Sequence, residues 1–220
     1  MATSRRVPLW RRPATIGSAV ALVVLAAMAL TTTTVAADDV DAANVGRHVF
    51  DAAEYANEKY DSEVVPNIVD NAVDIAELLP AIVADPEAAG QKYGHKGGVS
   101  SPYAYPVTGS GVAGAVNGTL LPVTIAGVPA GVQVMLQIGP AINGTALRDA
   151  TGLIGFGDFL NQIEYANAAT ELNNKVKADV LTGFDAAAAA GKTVTFTGAF
   201  SYGSNHAVIQ VVPVELKVAP

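Results

Sequence analysis

The chain opens with four arginines, at positions 5, 6, 11 and 12. Ile16 to Leu30 follows, fifteen uncharged residues in which only Gly17 and Ser18 depart from apolar character. Four threonines and Val35-Ala36-Ala37 come next, and from Asp38 the composition turns polar and acidic. A basic, then apolar, then small-residue order is that of an export signal. Val35 and Ala37 suit a signal peptidase, which would cleave before Asp38. Pro13 to Ala37 is also uncharged throughout, and a membrane span needs roughly 20 mainly apolar residues, so an uncleaved single-pass anchor is the alternative. Either way the arginines stay cytoplasmic and the body faces the extracytoplasmic side. Arg5-Arg6 resembles a twin-arginine motif, but Pro8 stands where a bulky apolar residue belongs, and a plain basic leader is the better reading.

Between Phe50 and Tyr93 the pattern is helical. Asp51 is placed to cap a helix that Val64 and Val65 close before Pro66, and Pro66 suits the first turn of the next one. Ile68, Ala72, Ile75 and Leu79, with Val69 and Ala76 beside them, recur at three and four residues and form one apolar stripe, which Pro80 ends or kinks. Asp85-Pro86 starts a last short helix. Gly94 to Ser101 reads as a flexible connection.

The period then changes to two. Tyr103 to Val107, Gly111 to Val116, Leu120 to Ile125 and Val132 to Ile138 are β-prone runs, with Asn117-Gly118 and Asn143-Gly144 as turns and a further strand around Leu153-Ile154. In Val132 to Ile138, Gln133 and Gln137 fall on the open face of a half-buried strand. A long helix spans about Asp158 to Thr182, with Phe159, Ile163, Leu172, Val176 and Val180 on its apolar side. Ala186 to Ala190 extends helix until Gly191. Strands at Thr193 to Tyr202 and Ala207 to Val218 finish the chain, and Pro213 marks an edge or a bulge. Helices, several short strands, one long helix and two last strands describe an α+β chain built on a small closed barrel of the OB type. An open sheet with the long helix on one face is the alternative. The organisation is 1–37 signal peptide or anchor, 38–93 helical segment, and 94–220 barrel domain packed with it.

Composition narrows the function classes. Of 220 residues, 50% are hydrophobic and 15% charged, which suits one globular domain plus an appended segment. Without residues 1–37, nine basic groups face all 20 acids, a net charge of −11, and such a body repels phosphate backbones, so nucleic acid is not an expected partner. The absence of cysteine excludes disulfides, thiolate catalysis, thiolate metal sites and Cys-linked lipid.

Gly139 to Ala150 and Phe156 to Tyr165, together with Phe50 to Ala56, Val65-Pro66 and the closing Gly191-Lys192 to Pro213-Val214, resemble the bacterial family known as domain of unknown function 2291, described as predicted periplasmic lipoproteins. The resemblance spans roughly residues 45 to 218. It implies an OB-like barrel in the cell envelope, in the company of sugar ABC-transporter components. One departure matters: Leu25-Ala26-Ala27 reads like the start of a lipobox, yet Met28 stands where the acylated Cys belongs.

Candidate chemistry is sparse. His48, His95 and His206 show no metal-ligand spacing, the Tyr93 to Gly98 stretch lacks the context of a phosphate loop, and no nucleophile elbow occurs, so no metal, cofactor or catalytic residue is assigned. The Asn-Gly-Thr sequons at 117 and 143 are explained as turns. Arg148 and Asp149 form the charged pair to single out. An arginine beyond a tight turn fixes a loop through a carboxylate, or else offers its planar fork to a carboxylate, phosphate or vicinal sugar hydroxyls. Asn161, Gln162 and Tyr165 lie nearby on the first turns of the long helix, as sugar-binding amides and a ring, although Tyr165 also suits the core. Tyr103, Tyr105 and Tyr202 form either a stacking platform or a packed strand pair. Two function classes follow: a noncatalytic binding or accessory module for uptake of a sugar or polyol, attached through residues 13–37 if these are uncleaved, and an envelope glycan hydrolase using Asp149, Asp158 and Glu164 as paired carboxylates.

Overall fold

The structure is a computed structural model and describes residues 49–219. The expectations for residues 1–37, and for His48, lie outside the described residues. From Phe50 onward the chain forms one compact unit.

Asp51 caps α1 (Ala52–Lys59), its Oδ1 accepting from the amides of Ala53 and Glu54 at 2.9 and 3.0 Å. The expected break before Pro66 is absent. A wide π-turn at Tyr60–Val64 runs directly into α2 (Val65–Asn71), with Pro66 in its first turn. Such a turn loosens the backbone where a proline ring would otherwise meet the preceding carbonyls. The break comes instead at Ala72. The next two residues, β1 (Val73–Asp74), pair in parallel with Val107 and Thr108, and Asp74 caps α3 (Ile75–Ala84) through Ala76 N at 2.8 Å. Pro80 sits within α3 rather than ending it. Asp85 caps α4 (Pro86–Tyr93) as expected.

After β2 (His95–Lys96) come β3 (Tyr103–Ala113), β4 (Leu120–Thr124) and β5 (Gln133–Gln137), then α5 (Ala146–Ala150), α6 (Gln162–Asp179), α7 (Ala186–Ala189), β6 (Thr193–Ser201) and β7 (Val208–Val218). The two runs expected on either side of Gly109 are one strand. A Cβ at Gly111 would lie 2.3 Å from Thr124 O, so glycine there lets β4 approach the strand closely rather than making a turn. No strand forms around Leu153-Ile154: the buried helix α5 (Ala146–Ala150) and a turn at Thr151-Gly152 precede these two residues, which are in irregular backbone. Gln137 is buried as well, its side-chain amide bonded to Asn143 N and O at 2.8 and 3.1 Å.

The strands close in the order β3-β4-β5-β7-β6 and back to β3, all antiparallel except β5 with β7. This is a five-stranded barrel with β1 and β2 added to β3, and the open-sheet alternative falls. Register shifts between Thr197 and Gly198 opposite Pro213, the expected bulge, and a Cβ on Gly198 would meet Val212 O at 2.2 Å.

Two apolar cores result. The inner one fills the barrel with Tyr105, Val107, Leu121, Leu136, Phe196 and Phe200, and α3 closes it with Ile75, Leu78, Leu79 and Ile82. The outer one lies between the outer face of β3, β6 and β7 (Ala104, Ala199, Val212, Val214) and a helical layer that supplies Tyr60, Ile68, Leu147, Tyr165, Leu172 and Val176. The small Ala104 and Ala199 let α5 lie close on the strands.

Candidate functional site

The site is built on α5. The turn through Gly144, at φ +96°, leads into it, and all five α5 residues are buried. Arg148 and Asp149 are therefore largely withdrawn from bulk water and need partners inside. Arg148 Nε lies 2.8 Å from Asp149 Oδ1, and Nη1 donates to Tyr165 O at 2.8 Å. The guanidinium stacks 3.4 Å above the centre of the Tyr165 ring. Thr145 Oγ1 donates to Asp149 Oδ2 at 2.6 Å. The Tyr165 hydroxyl lies 3.0 Å from Gly97 O and 3.4 Å from Asp149 Oδ1. Burial raises the Tyr165 phenol pKa; Arg148 pulls it back and Asp149 adds to the rise.

The connection before β3 folds over this cluster instead of swinging free. A Cβ on Gly97 would sit 2.4 Å from Asp149 Oδ1, and one on Gly152 would sit 2.6 Å from His95 Nδ1. Glycine is what allows both approaches. A cavity of about 490 Å³ remains between this loop and α6, lined by Gly97, Gly98, Ser100 and Ser101 on one side, Phe156, Gln162 and Tyr165 on the other, and Arg148.

Three of the five residues expected at the site, Arg148, Asp149 and Tyr165, thus touch one another, and Gln162 lines the same cavity. Asn161 has another task. It is the N-cap of α6, Oδ1 accepting from Ile163 N and Glu164 N while Nδ2 donates to Glu164 Oε1. The helix therefore starts at Gln162, not Asp158, and Ile163 falls off its buried stripe of Tyr165, Ala168, Ala169, Leu172 and Val176. Asp158 accepts from Gly155 N, and Glu164 from Leu160 N. Gly97, Ser100, Ser101 and Phe156 were not singled out from sequence; the signal present was the glycine- and serine-rich composition of 94–101.

Tyr105 is fully buried and stacks on Phe200 at 5.3 Å, Tyr103 donates to Glu87, and Tyr202 stacks on His206 at 4.4 Å, so the tyrosines pack and form no common platform. Among the described residues no group of three or more His, Asp or Glu is placed to hold a metal ion, and no helix is long and apolar enough to cross a membrane.

No curated protein matches the chain. One solved structure does: the crystal structure of an OB-fold protein from Thermotoga maritima, at 26% identity and a TM-score of 0.62, covering 78% of this chain and 99% of that one. Its description agrees with the strand order found here. The family model for predicted periplasmic lipoproteins, DUF2291, matches residues 19–217, nearly the whole chain and both halves of the site, and the protein belongs to that family.

Proposed function

We propose that the protein is a noncatalytic binding module of the extracytoplasmic envelope, which takes a sugar or polyol beside Arg148 and assists ABC-transporter components in its uptake. The observation that carries this reading is the cavity at Arg148, whose lining includes two serines, a glutamine, two aromatic residues and the arginine. Such groups suit a polyhydroxy ligand. The glycan hydrolase is disfavoured by the bonding of its carboxylates. Both Asp149 oxygens are engaged, by Arg148 and Thr145, while Asp158 and Glu164 hold local backbone amides. An acid–base pair needs a carboxyl free to face the substrate. The link to uptake rests on the family resemblance alone. With no Cys in the chain, attachment to the membrane would fall to the N-terminal segment.

The test is thermal unfolding of the purified protein against a sugar and polyol panel. A ligand at 100 times its Kd stabilises by about 2.7 kcal/mol, which for a domain of this size raises Tm by roughly 5 to 10 °C. We expect such a shift for at least one polyol, reduced in Gln162→Ala. Turnover of an envelope glycan, lost in Asp149→Asn, would overturn the reading in favour of hydrolysis.

A further inference from the structure

Ten large hydrophobic side chains are exposed among the described residues, and five of them, Val99, Leu153, Phe156, Leu160 and Ile163, lie on the segments that frame this one cavity. Val99 is 97% exposed on the loop wall, and Leu160 and Ile163 are 82% and 72% exposed on either side of Gln162. Scattered surface hydrophobics are ordinary, but here Phe156 lines the cavity itself, and Val99 and Ile163 each adjoin a lining residue in sequence. Ile163 stands one residue past Gln162 on the solvent side of α6, and Leu160 precedes the cap.

The polar part of the cavity has a definite character too. Its buried cation, Arg148, is paired with Asp149, so the floor is neutral overall, and a carboxylate lies under any ligand that reaches it. Arg148 Nη2, the Ser100 and Ser101 hydroxyls and the Gln162 amide have no hydrogen-bond partner among the described residues. Neutral donors and acceptors above a paired charge favour hydroxyls over an anion.

We propose that the ligand is a neutral amphiphile, with a sugar or polyol head in the polar hollow and an alkyl or acyl tail across Phe156, Leu160, Ile163 and Val99. This rests on the binding-module reading and names its ligand class. The two surfaces need each other. A free sugar leaves the apolar rim wet, whereas a tail laid on it removes apolar area from water.

The experiment is calorimetric titration with methyl, hexyl and octyl β-glucoside below their micellar concentrations, beside octyl phosphate. Burial of even part of seven added methylenes predicts octyl glucoside binding at least ~10-fold tighter than methyl glucoside. Leu160→Ser with Ile163→Ser should erase that gain and leave methyl glucoside binding as it was; Val99→Ser, on the opposite wall, should reduce it. If the glucosides bind with no dependence on tail length, this inference fails and the binding-module reading stands. If octyl phosphate binds as tightly as octyl glucoside, the neutral head is wrong. Should none of the four bind, while no sugar or polyol shifts Tm, both readings fall.

Discussion

Arg148 has three kinds of partner: the carboxylate of its neighbour Asp149, and the backbone carbonyl and ring face of Tyr165, 17 positions on. Only a planar guanidinium stacks and forks at once. Removing it leaves Asp149 buried with one hydroxyl partner and a more distant phenol. Arg148→Ala is therefore expected to cost about 3 to 5 kcal/mol, measured by urea unfolding, and Arg148→Lys to recover only part of that. A mutant as stable as the parent would show that the contact is dispensable. That an arginine after Asn143-Gly144 would pair with a carboxylate was legible from the sequence. That Tyr165 O and the face of its ring complete the set was not, because a backbone carbonyl and a ring face carry no residue-specific signal at a separation of 17 positions.

At the scale of elements, α6 shows how one side chain decides a boundary. Asn161 holds two first-turn amides and Glu164 reaches back to Leu160 N, so the helix enters at the point that leaves Gln162 on the cavity and Ile163 in water. Asn161→Ala should destabilise by about 1 kcal/mol, seen as a lowered midpoint at unchanged m-value. It should also weaken ligand binding, since the cap positions Gln162 without touching the cavity. Asn161→Asp should keep stability and binding together. A binding loss with no change in stability would instead make Asn161 a ligand contact. The stripe from Ile68 to Leu79 teaches the complementary lesson: its period is helical throughout, yet Ile68 serves the outer core while Ile75 and Leu79 serve the inner one. The chain breaks at Ala72 to exchange cores, and a periodicity cannot reveal which partner each turn faces.

For the whole molecule, two cores back to back on one barrel wall mean that tyrosines are buried on both sides of it. Burial pushes the Tyr55 and Tyr105 phenols up to about 12 and raises those of Tyr60 and Tyr165. An unfolded phenol loses its proton near pH 10. Between about pH 10 and 12 the unfolded chain thus binds fewer protons than the folded one, and stability falls as pH rises. The contribution is complete below pH 10. Tm should decline steeply above that value, with tyrosinate absorbance from these residues emerging together with unfolding. Smooth titration of all seven tyrosines near pH 10 in a chain that stays folded would contradict the burial described here.

Local signals determined what local physics governs. Asp51 and Asp85 begin helices because a carboxylate satisfies first-turn amides from within three residues, Gly118 and Gly144 turn because only glycine takes positive φ without cost, and the change of period near residue 101 separates helices from strands. The element order sufficed for the barrel class. The tertiary structure alone decided the rest. Barrel closure joins β3 to β6 across about ninety residues and runs a single strand through glycines that read as turns, and no strand forms at Leu153-Ile154. It also lays a loop that reads as flexible over Asp149, so closely that Gly97 admits no side chain. Those outcomes depend on which surfaces meet, and packing between distant segments leaves no period in either of them.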